Sequence, residues 1–128
     1  MLNESEALGP GEYVPAATQI AVEIAPVAPE YSVEMDARPV IFYKDALFIY
    51  HKPLADDLAA LADETLDGHQ RMIVRSFGSD TSVANQHGLV ARAGCVGFAT
   101  RNTHGYEVGH LGAMECCARL LASYACRP

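Results

Sequence analysis

The chain has 128 residues, of which half are hydrophobic and a fifth are charged, and its formal net charge is −7. This composition is typical of a folded domain with a sizeable core, and it lacks the concentrated Lys and Arg residues of a nucleic-acid interface. The acidic surface disfavours anionic membranes, and no apolar run approaches the roughly 20 residues that span a bilayer. The N-terminus is acidic, without a secretion signal. The four cysteines lack C-x-x-C spacing and are expected to stay reduced, so a cytoplasmic protein is predicted.

Four apolar stretches are predicted to form strands, at residues 19–24, 39–43, 70–77 and 94–99. Residues 46–50 are predicted to extend the second strand as an edge piece. Residues 27–36 lie between prolines and are predicted as a loop.

Three helices are predicted between and after these strands. The clearest begins near Pro53, a residue suited to a first turn, and its apolar side chains share one face. A short helix at 81–87 follows a Gly-x-Asp turn in which Ser79 or Asp80 serves as the N-cap. The last helix spans 110–124, and its core candidates are Leu111, Met114, Leu120 and Leu121. The order β-β-α-β-α-β-α predicts one α/β domain with three layers, α/β/α, around a mixed, mostly parallel sheet.

His104 is the first candidate for chemistry, because it lies in a loop directly after the fourth predicted strand. Loops at the carboxyl ends of strands carry the ligand sites of open α/β sheets. Neutral imidazole is a common ligand for zinc-like ions, and Gly105 beside it lets the backbone turn closely around a site. The alternative is a structural imidazole that bonds only to the backbone.

Carboxylates supply the other candidates. Glu23 lies near the predicted end of an apolar strand, where a buried carboxylate is costly unless it is paired or bound to a metal. Glu4 and Glu6 flank Ser5 ahead of a Gly-rich turn. The alternatives are solvent exposure for all three glutamates and simple helix capping for Asp80.

Four segments occur in an order that resembles the dinuclear-metal aminopeptidases of the glutamyl aminopeptidase and "cellulase M" family, which form tetrahedral dodecamers. They are an acidic pair before a Gly turn (Glu4-Ser5-Glu6-Ala7-Leu8-Gly9), an apolar strand with a carboxylate (Ile20-Ala21-Val22-Glu23-Ile24-Ala25-Pro26), a Gly-x-Asp turn (Gly78-Ser79-Asp80-Thr81-Ser82), and a strand followed by Thr-Arg and His (Phe98-Ala99-Thr100-Arg101-Asn102-Thr103-His104-Gly105-Tyr106-Glu107). The resemblance covers nearly the whole chain.

The resemblance implies hydrolysis of N-terminal peptide bonds by a water molecule bound to two divalent ions. Zinc is the expected ion, ahead of cobalt or manganese. It assigns His104 as the C-terminal histidine ligand and Glu23 as the ligand that is usually an aspartate. Of Glu4 and Glu6, one is the general base and the other a ligand. We therefore expect Glu4 and Glu6 to be the catalytic residues, and Glu6, Glu23 and His104 to be the metal ligands.

The family's first histidine and bridging aspartate have no counterpart in this chain. The resemblance therefore implies the C-terminal portion of a metallopeptidase catalytic domain, with the N-terminal part absent and little activity on its own. We expect self-association or pairing with a missing N-terminal half, and a peptide as substrate. Two alternatives stay open: a non-catalytic α/β assembly or binding module, and an unrelated α/β domain in which the candidate residues do not converge.

Overall fold

The structure is a computed structural model that describes residues 17–128. Its elements follow in chain order: strand β1 (Thr18–Pro26), strand β2 (Val40–Lys44), helix α1 (Lys52–Thr65), strand β3 (Gln70–Ile73), helix α2 (Asp80–Gln86), strand β4 (Arg92–Arg101), strand β5 (Val108–Gly109) and helix α3 (Leu111–Ala125).

The strands form one mixed sheet in the order β1-β4-β2-β3, with β5 paired to the end of β4. β1 runs parallel to β4, and β2 runs parallel to β3. The two halves join through an antiparallel pairing of β2 with β4, and β5 is also antiparallel to β4. The predicted α/β class with a mixed sheet is confirmed.

Helices cover both faces of this sheet. On one face, Ile41 and Val96 pack against α1 and α3 through side chains that include Leu58 and Leu120. The opposite face packs against α2 and against the loops that flank β2; its core residues include Val33, Phe42, Tyr50, Ala84 and Cys95. Burying both faces supplies the main apolar driving force for folding, and it gives the predicted three layers.

Local sequence explains where the helices begin. Pro53 occupies the first turn of α1, and the Nδ1 atom of His51 accepts a hydrogen bond from the Leu54 N–H at 3.3 Å. Ser79 is the N-cap of α2, where its side chain and that of Ser82 form a reciprocal capping box. Of the two predicted caps, Ser79 is therefore the one used.

Three details differ from the sequence predictions. Residues 46–50 form no strand, because a tight turn leaves only one isolated bridge between Lys44 and Ile49. The third strand ends at Ile73. Leu111 and Met114 were predicted to be buried but are 80% and 42% exposed, because α3 packs through the face that carries its three buried side chains, Ala113, Cys117 and Leu120.

Candidate functional site

Glu23 lies inside β1, opposite Gly97 of β4, rather than at the strand's end as predicted, because β1 continues to Pro26. Its alternation with Ala21 and Ala25, which pack in the α2-side core, puts its side chain on the same face of the sheet as α2. The approach of the two strands is very close here. A Cβ added to Gly97 would lie 2.4 Å from the Glu23 carbonyl oxygen, so only glycine fits at this position.

The environment of Glu23 opposes ionisation. Burial is the largest cause that raises its pKa from 4.5 to about 7, and the negative charge of Asp80 is the next. Asp45 adds a smaller effect in the same direction, while a hydrogen bond from the Ile24 N–H lowers the pKa. The described side chains thus place carboxylates around Glu23, a setting that favours a proton or a cation.

Asp80 is held in place as the first residue of α2, directly after the Ser79 cap. The Ser79 cap itself is held in place by Asp45, a carboxylate that is only 1% exposed. The Oδ2 atom of Asp45 accepts hydrogen bonds from the Tyr50 hydroxyl at 2.6 Å and from the Ser79 N–H at 3.1 Å. The Tyr50 hydroxyl also lies 2.7 Å from Ser79 Oγ, so the start of α2 is tied to the loop that follows β2.

This buried network continues to the centre of the sheet. Thr81 contacts Ser79 at 3.0 Å and donates a hydrogen bond to the Gly94 carbonyl of β4. Cys95, the next residue of β4, is buried beside Tyr50 and Glu23, and burial holds its thiol pKa well above the ordinary value. A continuous set of polar contacts therefore links the Asp80 turn to the strand that pairs with β1.

His104 lies in an exposed turn between β4 and β5. Asn102 and His104 both adopt left-handed backbone angles, with φ of 58° and 62°, which is uncommon for residues other than glycine. The turn is closed by a hydrogen bond from the Gly105 N–H to the Asn102 carbonyl at 3.0 Å, and by one from the His104 N–H to the Glu107 carboxylate at 2.9 Å. The turn thus has a defined shape despite its exposure.

The imidazole of His104 faces the segment that leads into α2. Its ring packs edge-on against Phe77, with 6.3 Å between the ring centroids. Phe77 lies two residues before the Ser79 cap of α2. Glu23 and Asp80 are electrostatically coupled, and His104 contacts the turn that carries Asp80.

Of the predicted site residues, Glu23 and His104 lie within the described residues, on β1 and in the turn after β4. Glu4 and Glu6 lie outside the described residues. Within residues 17–128, no group of three or more His, Cys, Asp or Glu side chains forms a metal-binding cluster. The donor types present are the His104 imidazole and the Glu23 carboxylate, whose surroundings oppose its negative charge. Both types nevertheless suit a zinc-like ion.

Sequence reasoning missed the support beneath the turn. Tyr50 was assigned to an edge piece of the sheet and Asp45 to no role, whereas both anchor the start of α2. A signal was present: an aspartate directly after a strand, followed by residues whose N–H groups need partners, is typical of an Asx turn. Asp45 Oδ1 accepts hydrogen bonds from the N–H groups of Leu47 and Phe48, each at 2.8 Å.

Comparisons with known proteins agree with this architecture. The family model for M42 glutamyl aminopeptidases matches residues 11–120. Among solved structures, a TET aminopeptidase from a marine-sediment archaeon of the Thaumarchaeota aligns with a TM-score of 0.88 at 16% identity, over 96% of this chain and 36% of that one. The TET1 peptidase of Pyrococcus horikoshii, described as assembling into a tetrahedron or a large octahedral shell, aligns at 0.84 and 19% identity, over 97% and 37%.

A third similar structure is an aminopeptidase from the archaeon Desulfurococcus kamchatkensis, with a TM-score of 0.73 at 20% identity, over 94% of this chain and 36% of that one. The chain thus spans little more than a third of the length of these proteins. No curated protein sequence matches it. Within residues 17–128, none of the helices has the length and apolar character needed to cross a bilayer.

Proposed function

We propose that this chain, which belongs to the M42 glutamyl aminopeptidase family, contributes part of the active site of a metal-dependent aminopeptidase. The family match over residues 11–120 is the observation that carries the proposal. The substrate would be a peptide, cleaved at its N-terminus. Because the chain spans little more than a third of its structural relatives, we propose that it acts as the C-terminal portion of a catalytic domain and that the remaining ligands come from a further segment.

The proposed metal ligands are Glu6, Glu23 and His104, and either Glu4 or Glu6 is the general base. Divalent zinc is the proposed ion, with cobalt or manganese as substitutes, and a complete site would hold two. When bound, such ions polarise the substrate carbonyl and acidify a water molecule. The chain's own contribution is positioning: β1 carries Glu23, and the strained turn after β4 presents the imidazole.

The electrostatics of Glu23 support this assignment. A half-buried carboxylate surrounded by other carboxylates is destabilised as an anion, and a bound cation removes that penalty. The negative charge of Asp80 acts on Glu23 more strongly than that of Asp45, so it would strengthen the attraction for a cation without needing to be a ligand. An ordinary surface glutamate has neither property.

Metal analysis tests the proposal directly. The purified chain is loaded with zinc or cobalt, dialysed exhaustively, and analysed for bound metal, and its hydrolysis of aminoacyl p-nitroanilides is measured. We expect retained metal, at least tenfold weaker retention in His104→Ala, and little peptidase activity from the chain alone. The exposed His87 supplies a matched control, because His87→Ala removes an imidazole without touching the proposed site.

The second candidate is a non-catalytic module that keeps the peptidase fold. The observation that favours it is the lack of a three-donor metal cluster within residues 17–128. It predicts that neither the parent chain nor His104→Ala retains metal after dialysis. Retention that survives His104→Ala would place the metal elsewhere and would contradict the ligand assignment.

We also propose homo-oligomerisation or pairing with the complementary segment. One of the related structures is described as a dodecamer, and apolar side chains are exposed after the His104 turn: Tyr106 at 90%, Leu111 at 80%, Val108 at 49% and Met114 at 42%. Exposed apolar surface of this kind favours association. A cytoplasmic location is proposed because all four cysteines are free thiols.

A further inference from the structure

The outer side of β3 is an open sheet edge in the described part of the chain. β3 is the terminal strand of the sheet and pairs only with β2. The N–H groups of Gln70 and Val74 donate inward, to the carbonyls of Pro39 and Lys44 at 2.8 and 3.0 Å. By the alternation of an extended strand, the N–H and C=O groups of the residues between them, Arg71 and Ile73, point outward. The Arg75 N–H, just beyond β3, donates to the Tyr31 hydroxyl at 3.3 Å. The part of the edge that can accept another strand is therefore the stretch of Arg71 and Ile73.

A groove of about 460 Å³ follows the same edge. Its lining combines the loop around Tyr31, Tyr43 of β2 and residues of β3. Ile73 is 54% exposed, which is unusual for an isoleucine in a strand. The groove thus combines free backbone groups with apolar surface.

Two arginines give the groove its charge. Arg71 stacks over the Tyr43 ring at 5.5 Å and donates to His69 Nε2 at 3.0 Å. Neither Arg71 nor Arg75 forms an ion pair within residues 17–128, whereas Arg38 on the adjoining loop is paired with two carboxylates. The one acidic side chain in the lining is Glu30. In a chain of net charge −7, two guanidinium groups that form no ion pair within the described residues give this groove a local positive charge.

The side chains of this segment alternate regularly. Arg71, Ile73 and Arg75 are exposed, while Met72 and Val74 between them are buried. The two arginines are four residues apart, so they lie roughly 13 Å from each other along an extended chain. A partner strand paired here places every second side chain beside Arg71, Ile73 and Arg75.

From this geometry we propose that the β3 edge binds an extended segment of another protein by strand addition. The segment carries two carboxylates four residues apart, opposite Arg71 and Arg75, and an apolar residue between them against Ile73. Backbone hydrogen bonds supply affinity in this binding mode, and the alternate side chains supply specificity. The arginines favour carboxylates because their planar forks match the two carboxylate oxygens.

The same charges disfavour a second copy of this chain at this edge. A symmetric pairing of β3 with β3 would place two pairs of arginines in one ladder, and like charges on facing strands are destabilising. The proposal is independent of the peptidase assignment, since the groove lies at the opposite end of the sheet from β1.

Fluorescence anisotropy with a labelled peptide, Ac-Thr-Glu-Thr-Val-Thr-Glu-Thr, tests the proposal on the whole chain. Acetylation blocks the N-terminus, so aminopeptidase activity does not enter the result. We expect saturable binding that weakens at least tenfold in Arg75→Gln, and at least tenfold when both peptide glutamates become glutamines. Arg119→Gln, an exposed arginine on α3, should bind like the parent. Circular dichroism confirms that each variant is folded.

Two further measurements localise the complex. Amide NMR shifts should change most at Arg71 and Ile73, and N-methylation of the central peptide valine should abolish binding. Absence of binding at millimolar peptide, equal binding by the glutamine peptide, or shifts centred on another element would overturn the proposal. So would a concentration-dependent dimer that Ile73→Lys dissociates, because a second copy would then occupy the edge.

Discussion

Replacement of Glu23 by glutamine should change how stability depends on pH. Because the pKa of Glu23 is raised from 4.5 to about 7, the folded chain holds this proton more tightly than the unfolded chain. The stabilisation is complete below the unfolded pKa and is lost as pH rises through the folded pKa. The two pKa values differ by about 2.5 pH units, which corresponds to roughly 3.4 kcal/mol at 1.36 kcal/mol for each pH unit. Since the carboxyl is only half-buried, solvent screening reduces the expected effect to about 1.5 kcal/mol.

Urea unfolding of the metal-free chain at pH 4 and pH 8 provides the measurement. At pH 4, below the unfolded pKa, the parent and Glu23→Gln should be nearly equal, whereas at pH 8 the variant should be more stable by about 1.5 kcal/mol. Glu115→Gln, an exposed glutamate on α3, is the matched control and should show no such difference. A difference between Glu23→Gln and the parent that does not vary with pH would refute the electrostatic reasoning.

Three other substitutions or reactions probe the surroundings of the site. Gly97→Ala should destabilise the fold by about 3 kcal/mol in urea unfolding, because a Cβ would lie 2.4 Å from a backbone oxygen of β1. Tyr50→Phe removes two hydrogen bonds from the buried Asp45 network and should lower the free energy of unfolding by about 2 kcal/mol. Cys117, whose pKa burial raises to about 12, should react with a thiol reagent far more slowly than the exposed Cys126 in the folded chain.

Each of these predictions has an internal comparison. Gly105→Ala meets only an oxygen at 3.4 Å, so it should cost less than Gly97→Ala. Tyr106→Phe, at a side chain that is 90% exposed, should change stability by less than about 0.5 kcal/mol. Equal costs within either pair would contradict the packing argument, and equal reaction rates of all four thiols would contradict the burial of Cys117.

The elements that sequence predicted well are those whose signal is local. Apolar stretches identified β1 and β4, and the spacing of Leu54, Leu58 and Leu61 identified α1, because each pattern lies within one element. The fourth predicted strand was also correctly placed ahead of the His104 turn. The Ser79 cap was predictable because capping depends on a few adjacent residues.

The failures involve relations between distant residues. The burial of Leu111 was predicted from helix periodicity alone, yet exposure depends on where α3 begins relative to the sheet. The role of Asp45 depends on a hydrogen bond to Ser79, which is 34 residues away in sequence. The high pKa of Glu23 arises first from its burial in the folded sheet and then from Asp80 on another element, so no pattern within β1 reveals it.

The central position of β4 has a consequence for how this chain folds. Thr18 of β1 pairs with Arg92 of β4, which is synthesised 74 residues later. Within the described residues β2 reaches β1 only through β4, so this part of the sheet cannot close before β4 is present. Sheets dominated by such non-local pairings refold in milliseconds to seconds rather than microseconds. Until β4 is synthesised, β1 lacks this partner, and unpaired strand edges of this kind favour aggregation.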